Sequence, residues 1–147
     1  MITNYLGLCN YFRGMKDTIP GLGMVTIGSD EEALDSQTAP MVRYPHLRVD
    51  TPTPRYSDAE NLTVDFAYTL YVLAPENTGA NGAEDKVLSD TELLLRRIYK
   101  RIWQDADLDM FDLVESPNQG DAIRAWSGDN CFGWTMAVTI RIYANEC

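Results

Sequence analysis

From Leu62 to Val72 every second residue is large and apolar: Leu62, Val64, Phe66, Tyr68, Leu70 and Val72. The pattern returns near the end of the chain with Phe132, Trp134, Met136, Val138, Ile140 and Ile142. Successive side chains of a strand point to opposite faces, so a period of two marks a strand with one face on a core. Each run is about 11 residues, roughly 36 Å at strand rise, which is long for a small domain. Between them the period changes to that of a helix over residues 84–104. Leu88, Thr91, Leu95, Ile98 and Ile102 form one stripe, widened by Val87 and Leu94, on a rod roughly 30 Å long.

The same reading assigns the remaining chain. Tyr5, Leu6, Cys9, Phe12, Met15 and Ile19 recur at three and four residues, predicting a helix over 3–19 with Thr3 or Asn4 at its start and Pro20-Gly21 at its end. Met24–Ile27 is a short strand closed by Gly28. Ser29 to Pro40 is acidic and small, a projecting loop or solvated turn. Met41 to Asp50 is extended, with Pro45 favouring an edge position or a bulge. Thr51-Pro52-Thr53-Pro54 is a stiff elbow. A flexible polar loop from Glu76 to Gly82 leads into the second helix. Strands at 111–115 and 122–126, turning at 116–120 and 127–130, complete a meander with the last long strand. The order is helix, three strands, helix, three strands. It predicts a single α+β domain over 1–147, a mainly antiparallel sheet with both helices on one face.

Composition narrows the partners. The 147 residues are 45% hydrophobic, enough for one core without staples, and carry 22 acidic against 12 basic side chains, a net charge of -10. Phosphate binding needs clustered Lys and Arg, so sequence-specific nucleic-acid binding is not expected. Cys9, Cys131 and Cys147 are odd in number and unpaired in spacing, which argues against a disulfide framework. Cys9 and Cys131 lie in apolar patterns and are expected to be buried, whereas Cys147 is expected to be a frayed thiol. The first residues lack the charge and apolar pattern of a signal peptide, and no stretch approaches the ~20 apolar residues of a membrane span. A protein that is neither exported nor membrane-bound is expected.

Motifs for chemistry fail on spacing. Asp105-Ala106-Asp107-Leu108-Asp109 imitates the start of a calcium loop, but Met110 stands where the turn needs glycine and Ser116 where a bidentate Glu belongs. These aspartates read as a solvated acidic turn. Gly21 and Gly23 lack the third glycine of a dinucleotide turn, since Thr26 occupies its place. His46 is the only histidine, read as a surface or half-buried structural residue with no local partner for catalysis. Trp103, Trp126 and Trp134 read as packing residues, with a ligand-binding aromatic cluster as the competing reading. Asn61-Leu62-Thr63 is a chance match to a glycosylation acceptor. No enzyme activity, metal or cofactor is expected.

The second helix carries the useful charge. Between Lys86 and Arg101, five cations (Lys86, Arg96, Arg97, Lys100, Arg101) stand against Asp90 and Glu92, a net +3 on a strongly acidic chain. A solvated face is one reading of this ridge. The functional reading is an interface: Arg96, Arg97, Lys100 and Arg101 meeting an acidic loop of a neighbouring copy, either Asp30, Glu31, Glu32 and Asp35 or the region 105–112. Such head-to-tail contacts close into rings when the rotation permits.

The layout resembles the tail-terminator and tail-completion (neck) proteins of long-tailed bacteriophages. The residues that carry the likeness are Tyr44-Pro45-His46-Leu47-Arg48-Val49, the long strand Leu62–Leu73, the helix 84–104 and the closing Gly133-Trp134-Thr135-Met136-Ala137-Val138-Thr139-Ile140 strand. The resemblance implies a homohexameric ring in the virion, assembled in the bacterial host cytoplasm. It would cap the tail tube, contact the major tail tube protein and the head-tail connector, and pass DNA through its lumen without holding it. Loops 29–40 and 76–83 would make the contacts to tube or neck. An acidic wall suits such a lumen because it repels phosphates. The alternative is a small-ligand or partner-binding α+β domain of a bacterial protein.

Overall fold

The computed structural model describes residues 1–28, 42–57, 62–76, 78–115, 120–124 and 131–143. Helix α1 spans Tyr5–Thr18, with Asn4 as its cap: the Asn4 side-chain oxygen accepts from the Gly7 amide at 2.8 Å. Strands β1 (Met24–Ile27), β2 (His46–Val49), β3 (Thr53–Tyr56) and β4 (Thr63–Pro75) follow. Helix α2 is Ala83–Asp107, and β5 (Asp112–Glu115), β6 (Gly120–Ile123) and β7 (Cys131–Tyr143) close the chain. The fold is α+β.

The two alternating runs form the spine. β4 and β7 pair antiparallel in unbroken register from Thr63 opposite Tyr143 to Pro75 opposite Cys131. Each then carries two short strands laid end to end along its outer edge. β2 pairs with Leu70–Leu73 and β3 with Val64–Ala67 of β4. β5 pairs with β7 near Ile140 and Arg141, and β6 with Gly133–Met136. β1 adds to β2 in parallel at the rim.

Three expectations change. The stiff elbow at 51–54 runs into a strand, β3, which makes four strands rather than three before α2 among the described residues. Pro54 is tolerated there because β3 is an edge strand whose only partner among the described residues is β4. The segment around Pro45 is not an edge: β2 lies between β1 and β4, and it begins at His46, so the missing proline N–H costs no ladder bond. Among the described residues the expected meander is not formed. β6 lies at 120–123 and pairs with β7 rather than with β5, and residues 125–130 lie outside the described residues.

Helices α1 and α2 lie on one face. Leu8, Phe12 and Met15 of α1 and Leu94, Leu95, Ile98 and Ile102 of α2 join one buried cluster with Val64, Tyr68, Leu70 and Val72 of β4 and Met136, Val138, Ile140 and Ile142 of β7. All the strand residues share one parity, as the alternation requires. The other parity presents Asp65, Ala67, Thr69 and Tyr71 beside Arg141, Thr139, Ala137 and Thr135. That face is small and polar, with Ala67 and Ala137 exposed and Asp65 bonded to Arg141 (Arg141 Nε to Asp65 Oδ1, 2.7 Å). Cys9 and Cys131 are buried free thiols, as expected of them, and Cys147 lies outside the described residues.

Candidate functional site

Helix α2 packs over β4 and β7 and turns its opposite side outward. Leu88, Thr91, Leu95, Ile98 and Ile102 are buried in the predicted stripe, and Leu94 is buried beside them. The outer row holds two apolar side chains that the helix leaves in water: Leu93 is 44% exposed and Trp103 38%. With Arg96, Arg97, Tyr99 and Lys100 they form a shallow, open patch along the helix. Tyr99 and Trp103, one turn apart, meet edge to face with centroids 6.3 Å apart. The packing role expected for Trp103 is therefore only half true: its edge rests on Tyr99 while much of the ring faces solvent. Trp134 does join the core, and its indole N–H donates to the Leu88 carbonyl at 2.7 Å. Trp126 lies outside the described residues.

The four ridge cations have different fates. Arg96 makes a two-pronged contact to Glu92, its Nε at 3.0 Å from Oε1, so its charge is matched within the helix and held firmly protonated by that bond. Arg97 donates to the Pro20 carbonyl at 3.2 Å, tying α2 to the end of α1 through a neutral acceptor. Lys100 is exposed and makes no ion pair among the described residues. Arg101 does not belong to the ridge. It is half-buried and donates from Nε to Asp105 Oδ2 at 3.0 Å, because position 101 borders the core stripe and its fourth neighbour is an acid. The outward charge thus concentrates on Arg97 and Lys100. Asp30, Glu31, Glu32 and Asp35 lie outside the described residues.

Asp105 corrects the reading of an acidic turn. It is 2% exposed, inside α2, and accepts from Tyr11 Oη at 2.7 Å as well as from Arg101. Burial, reinforced by that bond to Asp105, raises the Tyr11 pKa, so the phenol stays a donor. Asp105 therefore joins the two helices instead of opening a calcium loop. Asp109 follows in the left-handed region at φ 59°. Among the described residues no group of three or more His, Cys, Asp or Glu is placed to hold a metal.

His46 is buried, contrary to its expected surface or half-buried place, and its Nε2 lies 2.7 Å from the Thr26 hydroxyl. Burial, with the Arg48 charge second, lowers its pKa to about 4. The polar loop after β4 is also organised. The buried Glu76 carboxylate accepts from Thr78 N (2.7 Å), Thr78 Oγ1 (2.6 Å) and Gly79 N (2.9 Å), bonds that lower its pKa. Among the described residues no helix is long and apolar enough to cross a membrane.

The candidate site is thus the outer face of α2, a surface that combines an aromatic, a leucine and two outward cations. Comparison of the sequence with protein-family models and with curated proteins finds no match.

Proposed function

We propose that the chain is a structural subunit of a long-tailed phage or prophage tail, a terminator that assembles head-to-tail into a ring at the end of the tail tube. The observation that carries this reading is the outer face of α2. An acidic protein of net charge -10 holds Leu93 and Trp103 in water beside Arg97 and Lys100. Exposed apolar groups rimmed by like-signed charge mark a surface built for another protein. The order of elements supports the same reading, since the helix, the long strand, the second helix and the closing strand follow one another as in the neck proteins that the sequence resembles.

The test is light scattering across a concentration range, electron micrographs of the largest species, and cosedimentation with purified tail tubes. Rings with a central hole that bind tube ends are the expected result. A protein that ignores tail tubes but gains thermal stability from a small ligand overturns the assignment in favour of a ligand-binding domain.

A further inference from the structure

We infer that the outer face of α2 receives the turn Asp107-Leu108-Asp109 of a second copy of the chain. The face calls for an acidic occupant with an apolar centre. Arg97 donates to a neutral carbonyl and Lys100 makes no ion pair among the described residues, so neither cation meets a carboxylate there. Leu93 and Trp103 add exposed apolar surface on either side of them, about 15 Å apart along the helix axis.

The chain presents that occupant at the end of the same helix. Leu108 is 73% exposed and stands between two exposed aspartates, Asp107 and Asp109, which make no ion pair among the described residues. Their place is unfavourable within one molecule. A helix C-terminus carries roughly half a negative charge, and the last turn of α2 holds no basic residue to offset it. Cations brought from outside would offset both the carboxylates and the helix end. Other described carboxylates are already committed: Glu84 pairs with Arg124, Glu92 with Arg96 and Asp65 with Arg141, while Asp105 and Asp112 accept from tyrosine hydroxyls.

One molecule cannot make this contact by itself. Leu108 lies about 12 Å beyond Lys100 along a continuous helix. Folding it back would unwind the last turn, which the bonds of Asp105 to Tyr11 and Arg101 hold in place. The tip of one copy on the flank of the next joins two different surfaces. Such a contact is heterologous, and its repetition gives a ring or a filament.

This inference rests on the self-association in the reading above and not on the tail. A 1:1 mixture of ¹⁵N-labelled and unlabelled full-length protein is treated with a carbodiimide, which joins carboxylates to amines without a spacer, and its cross-links are mapped by mass spectrometry. The expected result is Lys100 joined to Asp107 or Asp109 in isotopically mixed pairs. Leu108→Ala, a change at an exposed site, should leave unfolding curves unchanged and weaken association about tenfold. A chain with Asp107→Lys and Asp109→Lys should fail to associate alone and recover when mixed with an Arg97→Glu, Lys100→Glu chain, each keeping the parent's circular dichroism. Lys100 links that run to residues 29–35 instead, that stay within same-isotope pairs, or that do not form overturn the inference whatever the swapped chains do. Mixed-isotope links in a protein that leaves tail tubes uncapped preserve the contact and remove the tail assignment. Capped tubes without those links keep the tail assignment and remove the contact.

Discussion

Tyr68 and His46 show how single side chains test the packing. Tyr68 is buried beside Phe12, with ring centroids 4.9 Å apart, and its hydroxyl has no hydrogen-bond partner among the described residues. An unmet buried hydroxyl costs roughly 1–3 kcal/mol. Tyr68→Phe should therefore hold stability level or raise it by about 1 kcal/mol, read from urea unfolding. A loss of that size would mean that the hydroxyl has a partner. His46 gives a pH dependence of known sign. Its pKa is about 4 in the fold against an ordinary 6.5, so above pH 6.5 both states are neutral and nothing is lost. As pH falls below 6.5 the unfolded chain takes up the proton first, and stability drops until the folded histidine also titrates near pH 4. The loss is at most about 3 kcal/mol. Unfolding curves from pH 7.5 to 4 should show it in the parent and a shallower fall in His46→Gln, whose side chain does not titrate. Parallel curves would refute the role of this histidine.

At the scale of elements the β4–β7 pair is the part on which the rest depends. A Cβ on Gly133 would lie 1.7 Å from the Val72 carbonyl oxygen, inside the ladder itself. Gly133→Ala must push the two long strands apart, and a loss of about 3 kcal/mol or more is expected in thermal or urea unfolding. A variant within about 1 kcal/mol of the parent would show that the strands part easily here. This spine was legible in the sequence because alternation over 11 residues specifies both the strand and its buried face. Of the short strands, β1, β2 and β5 were legible too, whereas β3 and the pairing of β6 were not. Residues 53–56 follow Pro52 and contain Pro54, and nothing local to 120–123 says that its partner is β7 rather than β5, because pairing is decided by the long strand's free edge. Asp105 had a signal that polarity masked. It continues the stripe of Thr91, Leu95, Ile98 and Ile102 at helical spacing, so position alone marked it as buried. The ridge cations were visible as residues, but the pairings that tie Arg96 to Glu92 and Arg101 to Asp105, and leave Arg97 and Lys100 without a carboxylate among the described residues, are properties of the fold.

For the molecule as a whole, the sum of charge and the local charge oppose each other. Two copies of net charge -10 repel at long range, while Arg97 and Lys100 attract an acidic segment at short range. Screening separates the two effects, since the Debye length shrinks from ~30 Å at 0.01 M salt to ~10 Å at 0.1 M and ~3 Å at 1 M. At the lowest salt whole-body repulsion wins and association is weak. Near 0.1 M that repulsion is screened beyond contact while the ion pairs survive, and association should be strongest. At 1 M the pairs fade, leaving the apolar contribution of Leu93 and Trp103. Sedimentation equilibrium across this range should therefore give a maximum, not a slope. Reversing Arg97 and Lys100 to Glu moves the net charge from -10 to -14 and removes the attraction, so its association should only rise with salt. A parent that weakens steadily from the lowest salt onward would show that ion pairs outweigh body charge at all distances. A parent that follows the double variant would show that this helix face is not where the copies meet.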